Sequence, residues 1–165
     1  MNIIFLDIDG VLNSNFWNTQ HQLEISDGIL IDKTKISLLS RIVKETDADI
    51  ILHSGWKFWF HEDPLEPIRL ESQRLVQMLS DFQLKISGIT PDFSTEQIRQ
   101  TKKFSLIKAK EILSWLEKHP NVKNWVVIDD LDLHNEIVES HQVRTNSETG
   151  LMEADVTKVV KLLKQ

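Results

Sequence analysis

The chain has 165 residues, 41% hydrophobic and 27% charged, with a net charge of −6 and no cysteine. One domain spanning 1–165 is the default at that length, and it can bury roughly 68–70% of its unfolded surface. Disulfides and thiolate metal sites are excluded; the acidic balance argues against a broad sequence-independent grip on nucleic acid, though not against a local basic groove; and with no basic leader or long apolar run, neither a signal peptide, a membrane span nor a membrane partner is expected, so a cytoplasmic location is the default.

The first predicted element is a buried strand near 2–7, built on Ile3, Ile4, Phe5 and Leu6. It runs into Asp7 and Asp9, which can share one site if the chain bends straight after Asp7; Gly10 makes such a bend cheap. In an open α/β sheet, ligands bind at the C-terminal ends of strands. Paired carboxylates there suit a divalent cation and a phosphate, while an Asp/Gly turn that caps the strand is the alternative. A calcium loop fails on spacing: its glycine belongs at the sixth position and a glutamate at the twelfth, whereas here Gly10 is fourth from Asp7 and Asn18 is twelfth.

Residues 13–31 look irregular and read as a small flap. A helix near 33–47 follows, with Asp32 as N-cap and Ile36, Leu39, Ile42 and Val43 as its apolar stripe. The next strand, near 49–54, ends in His53, Ser54 and Gly55. A strand-end hydroxyl beside glycine can donate to a phosphate oxygen; an ordinary turn serine is the plainer reading. The cluster Trp56–Phe60 has two readings as well: a stacking platform with Lys57 near a phosphate, or a packing anchor for the loop, which is the commoner use of large aromatics. All six histidines read as structural or surface residues, with His53 inside a strand.

Beyond it, a helix is expected near 65–81, a strand near 84–89, and a helix near 105–118 with Ile112, Leu113 and Leu116 facing inward. The strand near 125–129 again ends in acid, at Asp129, Asp130 and Asp132. A helix near 133–139, a strand near 141–145 and a helix near 154–164, striped by Val156, Val159, Val160 and Leu163, complete the chain. Alternating helices and strands indicate a sheet covered on both faces. The expected fold is an α/β, three-layer Rossmann-like sandwich with a central, mostly parallel five-stranded sheet and no large cap domain. Two apolar strands that each end in paired carboxylates would repel one another at one sheet edge, unless a hard cation such as Mg²⁺ sits among them.

These residues resemble the haloacid dehalogenase (HAD) superfamily of phosphohydrolases. The match consists of Asp7-Ile8-Asp9-Gly10-Val11 for its first motif, Ser54 for the second, a lysine for the third and Asp129-Asp130 for the fourth, in the family's order. The run Leu6–Asn13, the sequence Ser54-Gly55-Trp56-Lys57 and the late Thr149-Gly150-Leu151 are similar to the small HAD domains of multidomain RNA-repair proteins. Lys102, Lys103, Lys108 and Lys110 all compete for the third motif. Lys108 is favoured because it lies 21 residues before Asp129, room for one helix and a short loop. As a helix-start lysine it is expected to contribute little to the core.

The resemblance implies a Mg²⁺-dependent phosphatase. Asp7 would be the nucleophile and would form an aspartyl-phosphate; Asp9 would be the acid and base. Asp7, Asp129, Asp130 and the main-chain carbonyl of Asp9 would surround the metal, Asp130 alternatively orienting the lysine, while Ser54, Gly55 and Lys108 would bind the phosphate. A capless site leaves the phosphate open to bulky substrates, so phosphorylated RNA or DNA ends are the expected substrate. A small-metabolite phosphatase is the alternative within the same chemistry. A receiver-like signalling domain uses similar residues in a different order, and a non-catalytic domain would keep the fold alone.

Overall fold

The computed structural model describes residues 1–15 and 21–165. Five strands form its central sheet: β1 (Asn2–Leu6), β4 (Ala48–Leu52), β7 (Ile86–Ile89), β8 (Asn124–Asp129) and β9 (Gln142–Arg144). Four shorter strands, β2 (Gln22–Ser26), β3 (Ile29–Asp32), β5 (Phe60–His61) and β6 (Glu66–Pro67), form two hairpins outside it. The helices are α1 (Lys33–Thr46), α2 (Leu70–Asp81), α3 (Glu96–Thr101), α4 (Ser105–Glu117), α5 (Glu136–Glu139) and α6 (Glu153–Leu163), with a 3-10 helix at Gly55–Trp59.

Alternation along the strands creates the layers, because successive side chains point to opposite faces. Ile4 and Leu6 of β1 join Val126, Ile128, Ile50 and Leu52 on one face. There they meet Ile36, Leu39 and Ile42 of α1, Leu75 and Leu79 of α2, and Val156, Val159 and Leu163 of α6. Ile3 and Phe5 face the other way, with Ile51 and Val127, against Ala109, Ile112 and Trp115 of α4 and Val138 of α5. Full burial of a side chain such as Phe5 is worth about 1.5–3 kcal/mol. The result is a three-layer α/β sandwich with no cap domain among the described residues.

The sheet order is β7-β4-β1-β8-β9, and every neighbouring pair is parallel. The mostly parallel sheet expected from the sequence is therefore wholly parallel. The chain works outward from β1 to β7, then returns to β8 on the far side of β1. That reversal opens a crevice at the C-terminal ends of β1 and β8, where open α/β sheets bind ligands.

Local chemistry sets the element boundaries. Asp32 caps α1 by accepting from the Thr34 amide at 2.8 Å. The predicted helix 65–81 begins only at Leu70, because residues up to Pro67 pair in the β5–β6 hairpin and proline disfavours helix in the residue before it. The flap predicted at 13–31 is a β2–β3 hairpin that turns at Asp27 and Gly28, both with positive φ. Residues 16–20 of that flap lie outside the described residues. Among the described residues no helix is long and apolar enough to cross a membrane.

Candidate active site

The carboxyl-terminal ends of β1 and β8 carry the chemistry. Asp7 follows β1, and its amide continues the ladder to Ile128 at 3.0 Å. The chain then turns sharply, with the Leu12 amide bonding back to the Ile8 carbonyl at 2.8 Å. Gly10 takes φ +80 in this turn, and a Cβ there would overlap the Asp130 carboxylate. The site thus needs glycine for both its backbone angle and its space. A second loop buttresses the turn: Thr145 Oγ1 donates to the Gly10 carbonyl at 2.7 Å and the Leu151 amide donates to the Val11 carbonyl at 2.9 Å. Gly150, at φ +68, lies so close to the carbonyls of Asn13 and Val11 that a side chain would collide.

Asp7, Asp129 and Asp130 each place a carboxylate oxygen within 4.8 Å of the others. Asp7 and Asp129 are buried and Asp130 is half-buried. Burial pushes the Asp7 carboxyl up to about 7; Lys108 opposes this, while Asp129 and Asp9 add to it. Burial also raises Asp129, offset in part by Lys108, and raises Asp130 with help from Asp7.

Lys108 sits in the middle of this charge. Its Nζ donates to Asp129 Oδ2 at 2.7 Å and lies 3.3 Å from Asp7 Oδ1. Burial works against its charge, but Asp7 and Asp129 outweigh that and hold its pKa above the ordinary lysine range. The other lysines considered for this place, Lys102, Lys103 and Lys110, are all exposed, and Lys110 lies over the Phe93 ring. The expectation that Lys108 contributes little to the fold needs correcting: it is only 5% exposed and is the cation that pairs with Asp7 and Asp129.

Asp9 does not join the carboxylate group. Its Oδ2 accepts from Trp56 Nε1 at 3.0 Å and its Oδ1 from Asn13 Nδ2 at 2.9 Å. Asn13 also donates to the Leu30 carbonyl and accepts from the Gly10 amide, so it ties Asp9 to β3 of the hairpin. Asp132 stands apart too, exposed and accepting from the His134 amide.

Ser54 lies just past β4, beside β1, and is buried. Its Oγ caps the 3-10 helix by accepting from the Trp56 amide at 3.1 Å. Ser54, Gly55 and Lys108 line one small concavity. Lys57 is not free for a phosphate at the surface: it is buried, pairs with Glu111 at 2.9 Å and donates to the Pro91 carbonyl at 2.8 Å. His53 lies just after β4 rather than within it, fully buried, with Nε2 3.4 Å from Asp129 Oδ2. Burial, then Lys108 and Lys57, push its pKa well below the usual value, so it is neutral.

Sequence reasoning named Trp56, Asn13 and His53 but missed their contacts, the first two with Asp9 and the third with Asp129. Asn13 had a usable signal, four residues from Asp9 in the same turn. Trp56 lies 47 positions from its partner and had none.

The family profile for the HAD domain in Swiss Army Knife RNA repair proteins matches residues 3–156. A search of curated proteins returned no match.

Proposed function

The chain belongs to the family of HAD domains found in Swiss Army Knife RNA repair proteins, and on that premise we propose that it is a Mg²⁺-dependent phosphohydrolase that acts on phosphate monoesters through a phosphorylated Asp7. The observation that carries this reading is the convergence of Asp7, Asp129 and Asp130 around Lys108, where β1 and β8 end.

The donor set fits the metal. Three carboxylates within 4.8 Å against one lysine leave negative charge in excess, and Mg²⁺ prefers hard oxygen donors of this kind. Asp7, Asp129 and Asp130, with the Asp9 main-chain carbonyl, would hold it. Bound there, Mg²⁺ supplies electrostatic stabilisation of the transferring phosphoryl group.

The chain's own residues do the rest. An Asp7 carboxylate oxygen attacks phosphorus in line; the Asp7–phosphorus bond forms as the bond to the leaving oxygen breaks. Asp9, on the outer side of the site, gives that oxygen a proton. It then takes a proton from the water that attacks the phosphorus of the aspartyl-phosphate, which frees inorganic phosphate and restores Asp7. Lys108 and the Ser54–Gly55 corner balance charge on the remaining phosphate oxygens.

Phosphorylated RNA or DNA ends are the proposed substrates. The family's place in RNA repair proteins and the lack of a cap among the described residues support this. The net charge of −6 favours the second reading, a phosphatase of small metabolites. Phosphate release from an aryl phosphate, measured with Mg²⁺ and then with excess chelator, tests the activity. Release that chelator abolishes is expected; release unchanged in chelator contradicts the metal assignment, and no release at all contradicts the enzyme.

A further inference from the structure

Within the run Trp56–Phe60, burial divides the aromatics. Trp56 and Phe60 are buried, Trp59 is half-buried beneath Arg69, and Phe58 alone is exposed, at 41%. The Phe58 ring lies 6.0 Å from that of half-buried Phe104, tilted by 48°. Both rings line the concavity that Ser54, Gly55 and Lys108 share.

Helix geometry explains the coincidence. Phe58 is three residues after Gly55 on a 3-10 helix, where positions i and i+3 eclipse. Phe104 is four residues before Lys108, and the Lys108 amide bonds to the Phe104 carbonyl at 3.2 Å, so the two share one helix face. Each ring therefore stands one turn away from a residue assigned to the phosphate. Lys102 and Lys103, both exposed, immediately precede Phe104.

We propose that Phe58 and Phe104 form a stacking site for the base of a terminal nucleotide whose phosphate occupies the Asp7 site. The proposal rests on the phosphohydrolase reading above and narrows its substrate to a nucleotide end. Aromatic rings stack on any base, so the pair fixes the spacing of base and phosphate without reading sequence. Lys102 and Lys103 add positive charge beside it for the adjoining phosphodiester.

The test compares an oligonucleotide that carries a terminal phosphate with the same oligonucleotide made abasic at that terminal residue, in RNA and DNA forms. Two ratios are read: kcat/KM for phosphate release by the active protein, and affinity for Asp7→Asn protein by fluorescence anisotropy in Mg²⁺. The base-bearing end should be preferred roughly tenfold in both, and Phe58→Ala or Phe104→Leu should bring the ratio close to one. A general loss of structure would lower both members of the ratio together and leave it intact. Equal handling of the two ends by the unaltered protein overturns the proposal, as does a ratio that survives both substitutions. If nothing is hydrolysed, the phosphohydrolase reading fails, while the anisotropy ratio still decides the stacking site.

Discussion

Trp56 Nε1 donates to Asp9 Oδ2 at 3.0 Å across 47 residues of chain, while Asn13 holds the other oxygen of the same carboxylate at 2.9 Å. The indole is 3% exposed, so the ring that packs the loop also fixes the direction of the proposed acid and base. A general acid must sit within hydrogen-bond reach of its proton acceptor, and this pairing sets where Asp9 points. Asp9→Asn should slow turnover by about 10²–10⁴-fold, most for poor leaving groups. Trp56→Phe should show the same leaving-group bias with a smaller loss, about tenfold, in line with one hydrogen bond to a charged group. In an Asp9→Asn background, Trp56→Phe should add nothing to the loss in kcat. Additive effects in this double-mutant cycle would show that the indole acts elsewhere.

The Asp7 carboxyl, raised from 3.8 to about 7 by burial, makes stability depend on pH. Between those values the unfolded chain has lost the proton and the folded protein keeps it, so the stability from protonated Asp7 is full below about pH 4 and is lost as pH rises through about 7. Without Mg²⁺, Tm should therefore fall from pH 5 to pH 8, by an amount on the order of 1–4 kcal/mol in stability. Mg²⁺ should restore Tm at pH 8 far more than at pH 5, because only the carboxylate form binds it. Asp7→Asn should flatten the metal-free slope. Thermal melts across this range check all three; a Tm that rises with pH in chelator would contradict the burial reading of Asp7.

Removal of Lys108 should affect both function and fold. Lys108→Met should lower kcat/KM by about 10²–10³-fold through lost charge neutralisation. It should also destabilise the metal-free protein by about 3 kcal/mol, because it leaves Asp129 and Asp7 buried without their cation. Adding Asp129→Asn should recover part of the stability and none of the activity. Lys103→Met, at an exposed position, should leave the unfolding free energy within about 0.5 kcal/mol of the parent. Denaturant melts together with phosphate release separate the two effects.

Much of this was legible in the sequence because it is written in short-range patterns. The three central strands β1, β4 and β8 appear as apolar runs, α1 and α6 appear as stripes at helical spacing, and Asp32 appears as a cap. Lys108 could be chosen from four lysines because the distance to Asp129 had to hold one helix and a loop. What escaped was set by tertiary contact. The Asp27-Gly28 turn signal was present, but the strands beside it are short and half-polar, so the hairpin read as irregular. The aromatic run gave no clue to which rings point inward, and burial divides it between Asp9, the core and solvent. Lys57 and Glu111 look like surface residues in the sequence; only the packing of α4 and the 3-10 helix buries them as a pair.

Gly10→Ala isolates the contribution of the turn. The new methyl would meet the Asp130 carboxylate and require φ +80 of a residue that resists it. Mg²⁺ affinity, read by calorimetry, should fall at least tenfold, with a loss of about 1–3 kcal/mol in stability from the strained backbone. Unchanged Mg²⁺ affinity would show that Asp130 lies outside the metal shell.

The most direct measurement of the central claim is capture of the phosphorylated nucleophile. The protein is mixed with a ³²P-labelled monoester and Mg²⁺, quenched in acid within the first turnover, and digested for peptide mapping. Label should appear on the peptide that contains Asp7, decay as phosphate is released, and be absent from Asp7→Asn protein, which should not turn over. Phosphate release without label on that peptide, or near-normal turnover by Asp7→Asn, would place the nucleophile elsewhere.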